Sequence, residues 1–269
     1  MRVTLVCSRQ TRDMGGMRAM AVALETLALQ KQFGGIAAVR DVSLRIEKGA
    51  RHALIGPNGA GKTTVIDLLS GVKRPTSGRI LLEGMDITDL GPHRRTRLGI
   101  ARTFQINQLF AELTPAESLG LVISERVGAG LDWWRTAGTK PRIVEEIAGL
   151  LESFHLTEAA NERTAMLPYG KQRLLEIALA VACRPRVLLL DEPAAGVPQT
   201  DRRELLATIA SCSEGVTILL IEHDMDLVFD FADRISVLVN GTVFAEGTAD
   251  EVARDPRVKS VYLGENVRA

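Results

Sequence analysis

The sequence carries no surplus of either charge: 33 Lys+Arg stand against 33 Asp+Glu, for a formal net charge of +0 at pH 7. That balance argues against a dedicated nucleic-acid binder, which shows a basic excess or stripe, and no nucleic-acid partner is expected. Cysteine is scarce as well. Cys7, Cys183 and Cys212 are odd in number and widely spaced, so no disulfide framework or zinc ribbon is indicated; reduced thiols in a cytosolic protein are expected. No apolar run approaches the roughly 18 residues that a membrane-spanning helix requires. The opening Met1–Arg9 is too short and too quickly charged for a secretory signal, so the chain is expected to be neither secreted nor membrane-spanning by itself. Internal repeats are missing too. What is present is ordinary globular material, 46% hydrophobic and 25% charged over 269 residues, enough for one large domain or two modest ones.

Residues 1–22 differ from the rest, with Arg2, Arg9, Arg12, Arg18 and four methionines but no sustained period. They read either as a disordered arm or as an over-long start, with Met17 or Met20 opening the chain; the second is favoured. From Leu24 the pattern becomes regular. Leu24, Thr26, Ala28 and Gln30 alternate with their neighbours as in a strand, and Val39, Val42, Leu44 and Ile46 predict a second strand. Ala53–Ile55 and Ile80–Leu82 are further short strands, and Thr64–Leu69 is helical. Between about 105 and 184 the periodicity becomes helical, over Glu117–Val127, Ile143–Phe154 and Gln172–Ala182. Gly128 to Pro141 reads as a loop with Trp133 and Trp134 embedded, either as loop anchors, the favoured reading, or as an apolar contact for a partner. Alternation then resumes: strand Val187–Leu190, helix Asp201–Ala210, strand Val216–Ile221, helix Asp224–Phe231, strand Ile235–Val239. This order predicts a largely parallel α/β sheet with a helical insert inside a single domain spanning 23–269.

Gly56-Pro57-Asn58-Gly59-Ala60-Gly61-Lys62-Thr63 follows a buried strand and precedes a helix, fitting the phosphate-loop spacing G-x-x-x-x-G-K-[ST]. A polyanionic phosphate chain is matched by successive backbone N–H groups at a helix N-terminus, where donors and dipole act together. Glycine lets the backbone approach phosphate oxygens closely. Lys62 would bridge the β- and γ-phosphates, and the Thr63 hydroxyl would ligate Mg²⁺. The bare spacing arises by chance in a chain of this length roughly once in a hundred, so nucleotide binding is strongly indicated.

Val187–Leu190 ends in Asp191-Glu192, at the strand end where a parallel-sheet ligand site lies. Asp191 would hold Mg²⁺ through water, and Glu192 would polarise the water attacking the γ-phosphate. A second apolar strand ends at Glu222-His223-Asp224. His223 tops a strand expected beside the phosphate site and could contact the γ-phosphate, whereas His52, His93 and His155 read as surface or structural.

Together these motifs resemble the ATP-binding cassette ATPases, the motors of ABC transporters, over about residues 24–263. The resemblance implies a P-loop NTPase (RecA-like) core with an antiparallel β-subdomain and an inserted α-helical subdomain. It implies Walker A at Gly56–Thr64, Walker B with its catalytic glutamate at Val187–Glu192, and the switch histidine at His223. Gln105, within Ala101-Arg102-Thr103-Phe104-Gln105, looks like the Q-loop glutamine that senses Mg²⁺ and contacts the membrane partner. Phe33 matches the aromatic position that stacks on adenine, with ordinary core packing as the competing reading. The family's signature loop, which caps ATP held by the opposite subunit, falls on Leu167-Pro168-Tyr169-Gly170-Lys171, with Gln172 following. Pro168 lacks the hydroxyl and N–H of the family's serine there; Lys171 either supplies a compensating charge-assisted contact or faces solvent. Pro198 takes the acid or amide position of the loop after Walker B, which would alter communication between the two ATP sites.

A finer resemblance is to the larger ATPase subunit of branched-chain amino acid importers, with urea and short-amide importers close by. It rests on Phe33-Gly34-Gly35, Ala101–Gln105, Tyr169-Gly170, Leu175–Ala178, Ala194–Gly196, Ala245–Thr248, Asp255-Pro256 and Tyr262–Glu265. It implies ATP and Mg²⁺ as cofactors, a homodimer or a heterodimer with a second ATPase, and two transmembrane permease subunits. A periplasmic binding protein would act indirectly, and the chain would sit peripherally on the cytoplasmic side of the inner membrane. The rivals are a soluble cassette ATPase without transport, for which the coiled-coil inserts, tandem cassettes and basic extensions are missing, and a lipopolysaccharide-export ATPase, expected to keep a more regular signature.

Overall fold

The computed structural model describes residues 21–103, 109–128 and 141–263. The start-site question falls largely on 1–20, and Gln105 and Trp133-Trp134 on 104–108 and 129–140; all lie outside the described residues.

Eleven strands form two sheets among the described residues. The smaller has the order β2-β1-β5-β6, from Ile36–Val42, Val22–Phe33, Ser77–Leu82 and Met85–Asp86, with β3 (Arg45–Glu47) also pairing with β1. Every pairing in it is antiparallel. The larger has the order β11-β10-β4-β9-β8-β7, from Thr242–Thr248, Arg234–Val239, Arg51–Ile55, Thr217–Ile221, Val187–Asp191 and Ile100–Arg102. It is parallel except for the β10–β11 hairpin. The helices are α1 (Lys62–Ser70), α2 (Pro92–Arg97), α3 (Pro115–Arg126), α4 (Pro141–Ser153), α5 (Tyr169–Ala182), α6 (Gln199–Cys212), α7 (Met225–Phe231), α8 (Ala249–Arg254) and α9 (Pro256–Leu263). No described strand falls between β7 and β8, and α3, α4 and α5 fill that span.

Side-chain alternation explains why the central strands are apolar throughout. Leu188 and Leu190 of β8 enter a core shared with α3 to α6, whereas Val187 and Leu189 point into the core holding α1 and the small sheet. β9 divides the same way, Ile218 and Leu220 against Leu219 and Ile221. A strand covered on both faces has no polar side to show, and each fully buried Leu contributes about 1.5–3 kcal/mol. Helix ends follow local chemistry: Thr114 and Glu117 form a capping box ahead of α3, with Pro115 in its first turn, and Gly71 closes α1 at φ 80.

Two sequence expectations are corrected. The span Val39–Ile46 is two strands, broken at Ser43-Leu44 between β2 and β3. β2 pairs with the far half of β1 (Lys31 with Val39) and β3 with its near half (Leu24 with Ile46). The Thr26 hydroxyl spans the break, donating to Val42 O at 2.9 Å and accepting from Leu44 N at 2.8 Å. Within β1 the alternation changes phase. Ala28 is left-handed at φ 50, so Leu29 is buried while Ala28 and Gln30 are exposed.

Candidate nucleotide site

Strand β4 runs into the loop Gly56–Gly61, and α1 starts at Lys62. The glycines are demanded by tertiary contacts: a Cβ on Gly56 would lie 2.0 Å from Leu238 O, and one on Gly61, at φ 105, would lie 2.5 Å from Ala38 O. No side chain caps α1, so its first amides and the dipole of its N-terminus remain for an anion. Lys62 is buried and folds across its own loop, donating from Nζ to Gly56 O at 2.6 Å and Pro57 O at 3.0 Å. Thr63 is exposed and Thr64 half-buried in the first turn of α1.

Since β4, β9 and β8 are parallel neighbours, their carboxyl ends bring the phosphate loop, Glu222-His223 and Asp191-Glu192 to one edge. Glu192 is left-handed, at φ 50, and its Oε1 lies 3.4 Å from His223 Nδ1. His223 is exposed. Asp191 is fully buried. Its Oδ2 accepts from Arg102 Nη2 at 3.0 Å, while its Oδ1 is buried with no hydrogen-bond partner among the described residues. Burial pushes the Asp191 carboxyl up and Arg102 partly offsets this. An oxygen stranded in this way costs about 1–3 kcal/mol, and a hard divalent cation, or a water it carries, is the chemistry that a buried carboxylate oxygen suits.

Several contributors were not anticipated from the sequence. Glu222, buried at the end of β9, accepts from Ala194 N at 2.9 Å and His223 N at 3.2 Å, holding the two loops of this edge together. Burial raises its carboxyl, against the two amide hydrogen bonds. Arg173, in the first turns of α5 and 1% exposed, donates to Asp191 O and Glu192 O, both at 3.0 Å, and to Pro193 O at 3.2 Å. Its charge is met by buried Glu176, one turn on. The sequence signal was an Arg and a Glu spaced i, i+3 in the helix, which alone reads as a surface pair.

The signature residues gather at the start of α5. Leu167 is buried, and Pro168 occupies the N-cap without a side-chain cap. Gln172 Nε2 donates back to Leu167 O at 2.9 Å and Thr164 O at 3.2 Å, closing the loop. Tyr169 is exposed along one side, with its ring against Gly196. Lys171 is half-buried and lines, with Gly170, Pro168 and Pro198, a cleft of about 400 Å³. Pro198 is the N-cap of α6, again without a side-chain cap.

Phe33 ends β1 and is 42% exposed, which overturns core packing as its explanation. The ammonium groups of Lys31 and Lys73 stand 5.1 and 5.4 Å from its ring centre. Lys73 in turn meets Asp67 of α1 at 2.6 Å, so the ring is tied to the phosphate-loop helix. His52 is buried against Ser236 Oγ at 2.8 Å, and His93 and His155 are exposed.

Comparison with known proteins supplies the context. Residues 39–195 match the family model "ABC transporter", and residues 242–268 match "Branched-chain amino acid ATP-binding cassette transporter". The chain is 42% identical over 251 residues to the high-affinity branched-chain amino acid transport ATP-binding protein BraF of Pseudomonas aeruginosa, covering 90% of this chain and 98% of that one. It is 40% identical over the same length to LivG of Escherichia coli, a protein of the same description, with the same coverage. Among solved structures, the ADP conformation of MJ1267, an ATP-binding cassette of an ABC transporter, superposes with a TM-score of 0.76 at 31% identity, covering 90% of this chain and 99% of that one.

Proposed function

Because the chain belongs to the ABC transporter family of ATP-binding cassettes and is an ATPase of that kind, we propose that it powers an importer of branched-chain amino acids. The observation that carries this reading is the match of residues 242–268 to the branched-chain amino acid cassette group, outside the segment shared by ABC ATPases at large. The 40–42% identity to BraF and LivG supports it.

In this reading ATP lies along the phosphate loop, with its triphosphate on the amides of Gly56–Thr64 and its base against Phe33. Lys62 exchanges its two loop carbonyls for phosphate oxygens. Asp191, Thr63 and Gln105 would hold Mg²⁺, which when bound would offset the charge on the phosphates. Glu192 accepts a proton from the attacking water, and His223, 3.4 Å from it, donates to the departing γ-phosphate oxygens. The signature residues Leu167–Gln172 meet the nucleotide of a second subunit, so turnover requires a dimer. The partner is a second ATPase or another copy of this chain. Two permease subunits, contacted through the helical region near Gln105, hold the assembly at the cytoplasmic face of the membrane. A binding protein on the far side selects the cargo.

The test is reconstitution with candidate permease subunits and a binding protein from the same organism. ATP-driven uptake of leucine, isoleucine or valine into liposomes is expected. Uptake of urea or short amides in their place, or none with any amino acid, overturns the assignment of cargo.

A further inference from the structure

We propose that Arg102 is the positioning residue of the divalent-cation centre, one guanidinium that joins the elements bearing Thr63 and Asp191, two of the sequence-predicted metal ligands. This rests on the nucleotide reading above. Nη1 donates to Asp67 Oδ1 at 2.6 Å and to Ser70 Oγ at 3.2 Å, both on α1, the helix whose first turn carries Thr63. Nη2 donates to Asp191 Oδ2 at 3.0 Å at the end of β8. Arg102 itself closes β7.

The committed oxygens identify the place left for an ion. Asp67 has both oxygens taken, Oδ1 by Arg102 and Oδ2 by Lys73 at 2.6 Å. Asp191 has Oδ2 taken and Oδ1 without a partner among the described residues. The side chains of Arg102, Asp67 and Asp191 are only 8%, 10% and 1% exposed, so solvent does little to reorient them. Asp191 is therefore held by one oxygen and offers the other. A fork is required for this, because the two carboxylates come from different elements and one planar guanidinium addresses both, which an ammonium on a flexible stem does not. Outer partners that hold a ligating carboxylate in this way set metal affinity directly.

The experiment measures Mn²⁺ binding by electron paramagnetic resonance in the presence of saturating AMP-PNP, on full-length protein, alongside AMP-PNP binding in EDTA. Arg102→Met should raise the half-saturating Mn²⁺ concentration by about 10- to 100-fold and leave metal-free AMP-PNP binding at the wild-type value. Arg102→Lys should fall between, and Asp67→Asn, which loosens the other anchor, should shift Mn²⁺ in the same direction. A role confined to general scaffolding predicts instead that metal-free and metal-bound affinities fall together, and that result overturns the proposal. Should Arg102→Met not fold, an unmoved Mn²⁺ midpoint in both Arg102→Lys and Asp67→Asn overturns it equally. Wild-type protein that takes up no AMP-PNP sinks the nucleotide reading, and this inference with it.

Discussion

Arg173 donates to the main-chain oxygens of Asp191 and Glu192 at the same distance, 3.0 Å, from within the helix that begins at the signature residues. The segment carrying the proposed general base is thus clamped to the segment proposed to meet a second subunit's nucleotide. Arg173→Met leaves Glu176 buried without its counter-charge, and breaking such a pair costs about 3–5 kcal/mol. Urea denaturation should record that loss. In whatever fraction folds, ATPase activity should drop more than ATP binding; equal loss of both would show that the clamp serves stability alone.

Replacing the carboxylate beside His223 separates binding from chemistry. Glu192→Gln should bind ATP like the wild type while turning over about 10²–10⁴-fold more slowly, the range for loss of a general base. Gel filtration with ATP should then show a dimer that outlasts that of the wild type. Undiminished hydrolysis would remove Glu192 from the mechanism.

The ring of Tyr169 sits where a side chain on Gly196 would be, with Cε1 2.5 Å from the ideal Cβ position. Gly196 is also left-handed, at φ 74. Gly196→Ala should therefore cost about 1–2 kcal/mol for the backbone plus about 1–3 kcal/mol for the collision. In a Tyr169→Ala background only the backbone share should remain. A double-mutant cycle that closes additively would mean that the two residues do not press on one another.

His52 gives a pH dependence with a definite sign. Burial, partly countered by Glu246, lowers its pKa from 6.5 to about 4. The folded state holds it neutral, whereas the unfolded chain takes up a proton below pH 6.5. Stability contributed by this site is therefore complete above about 6.5 and declines as pH falls toward 4, by about 3 kcal/mol in all. Denaturation midpoints at pH 5 and pH 7 test this, and the difference should shrink in His52→Gln. An unchanged difference in that variant would place the titration elsewhere.

Much of the large sheet was legible because each central strand is an unbroken apolar run ending in chemistry. Ile55 before Gly56, Leu190 before Asp191 and Ile221 before Glu222 announce both the strand and its functional end. The small sheet was less legible. Its register depends on left-handed Ala28 and Asp41 and on the Thr26 hydroxyl, none of which alters hydrophobic periodicity. Short elements such as α2, β6 and β7 carry too few residues to show a period. The charged residues that organise the site were hardest to find, since burial of Arg102, Arg173 and Glu222 is decided by partners distant in the chain.

Ala38 O of β2 is the atom that a side chain on Gly61 would strike, and a side chain on Gly241 would come within 2.7 Å of the same oxygen. One carbonyl of the antiparallel sheet thus sits wedged between the phosphate loop and the β10–β11 turn. Glycine at these two positions records a shared neighbour, so even alanine there would press on the seam between the two sheets. A nucleotide drawing on that loop is, in effect, reading how firmly the smaller sheet is seated.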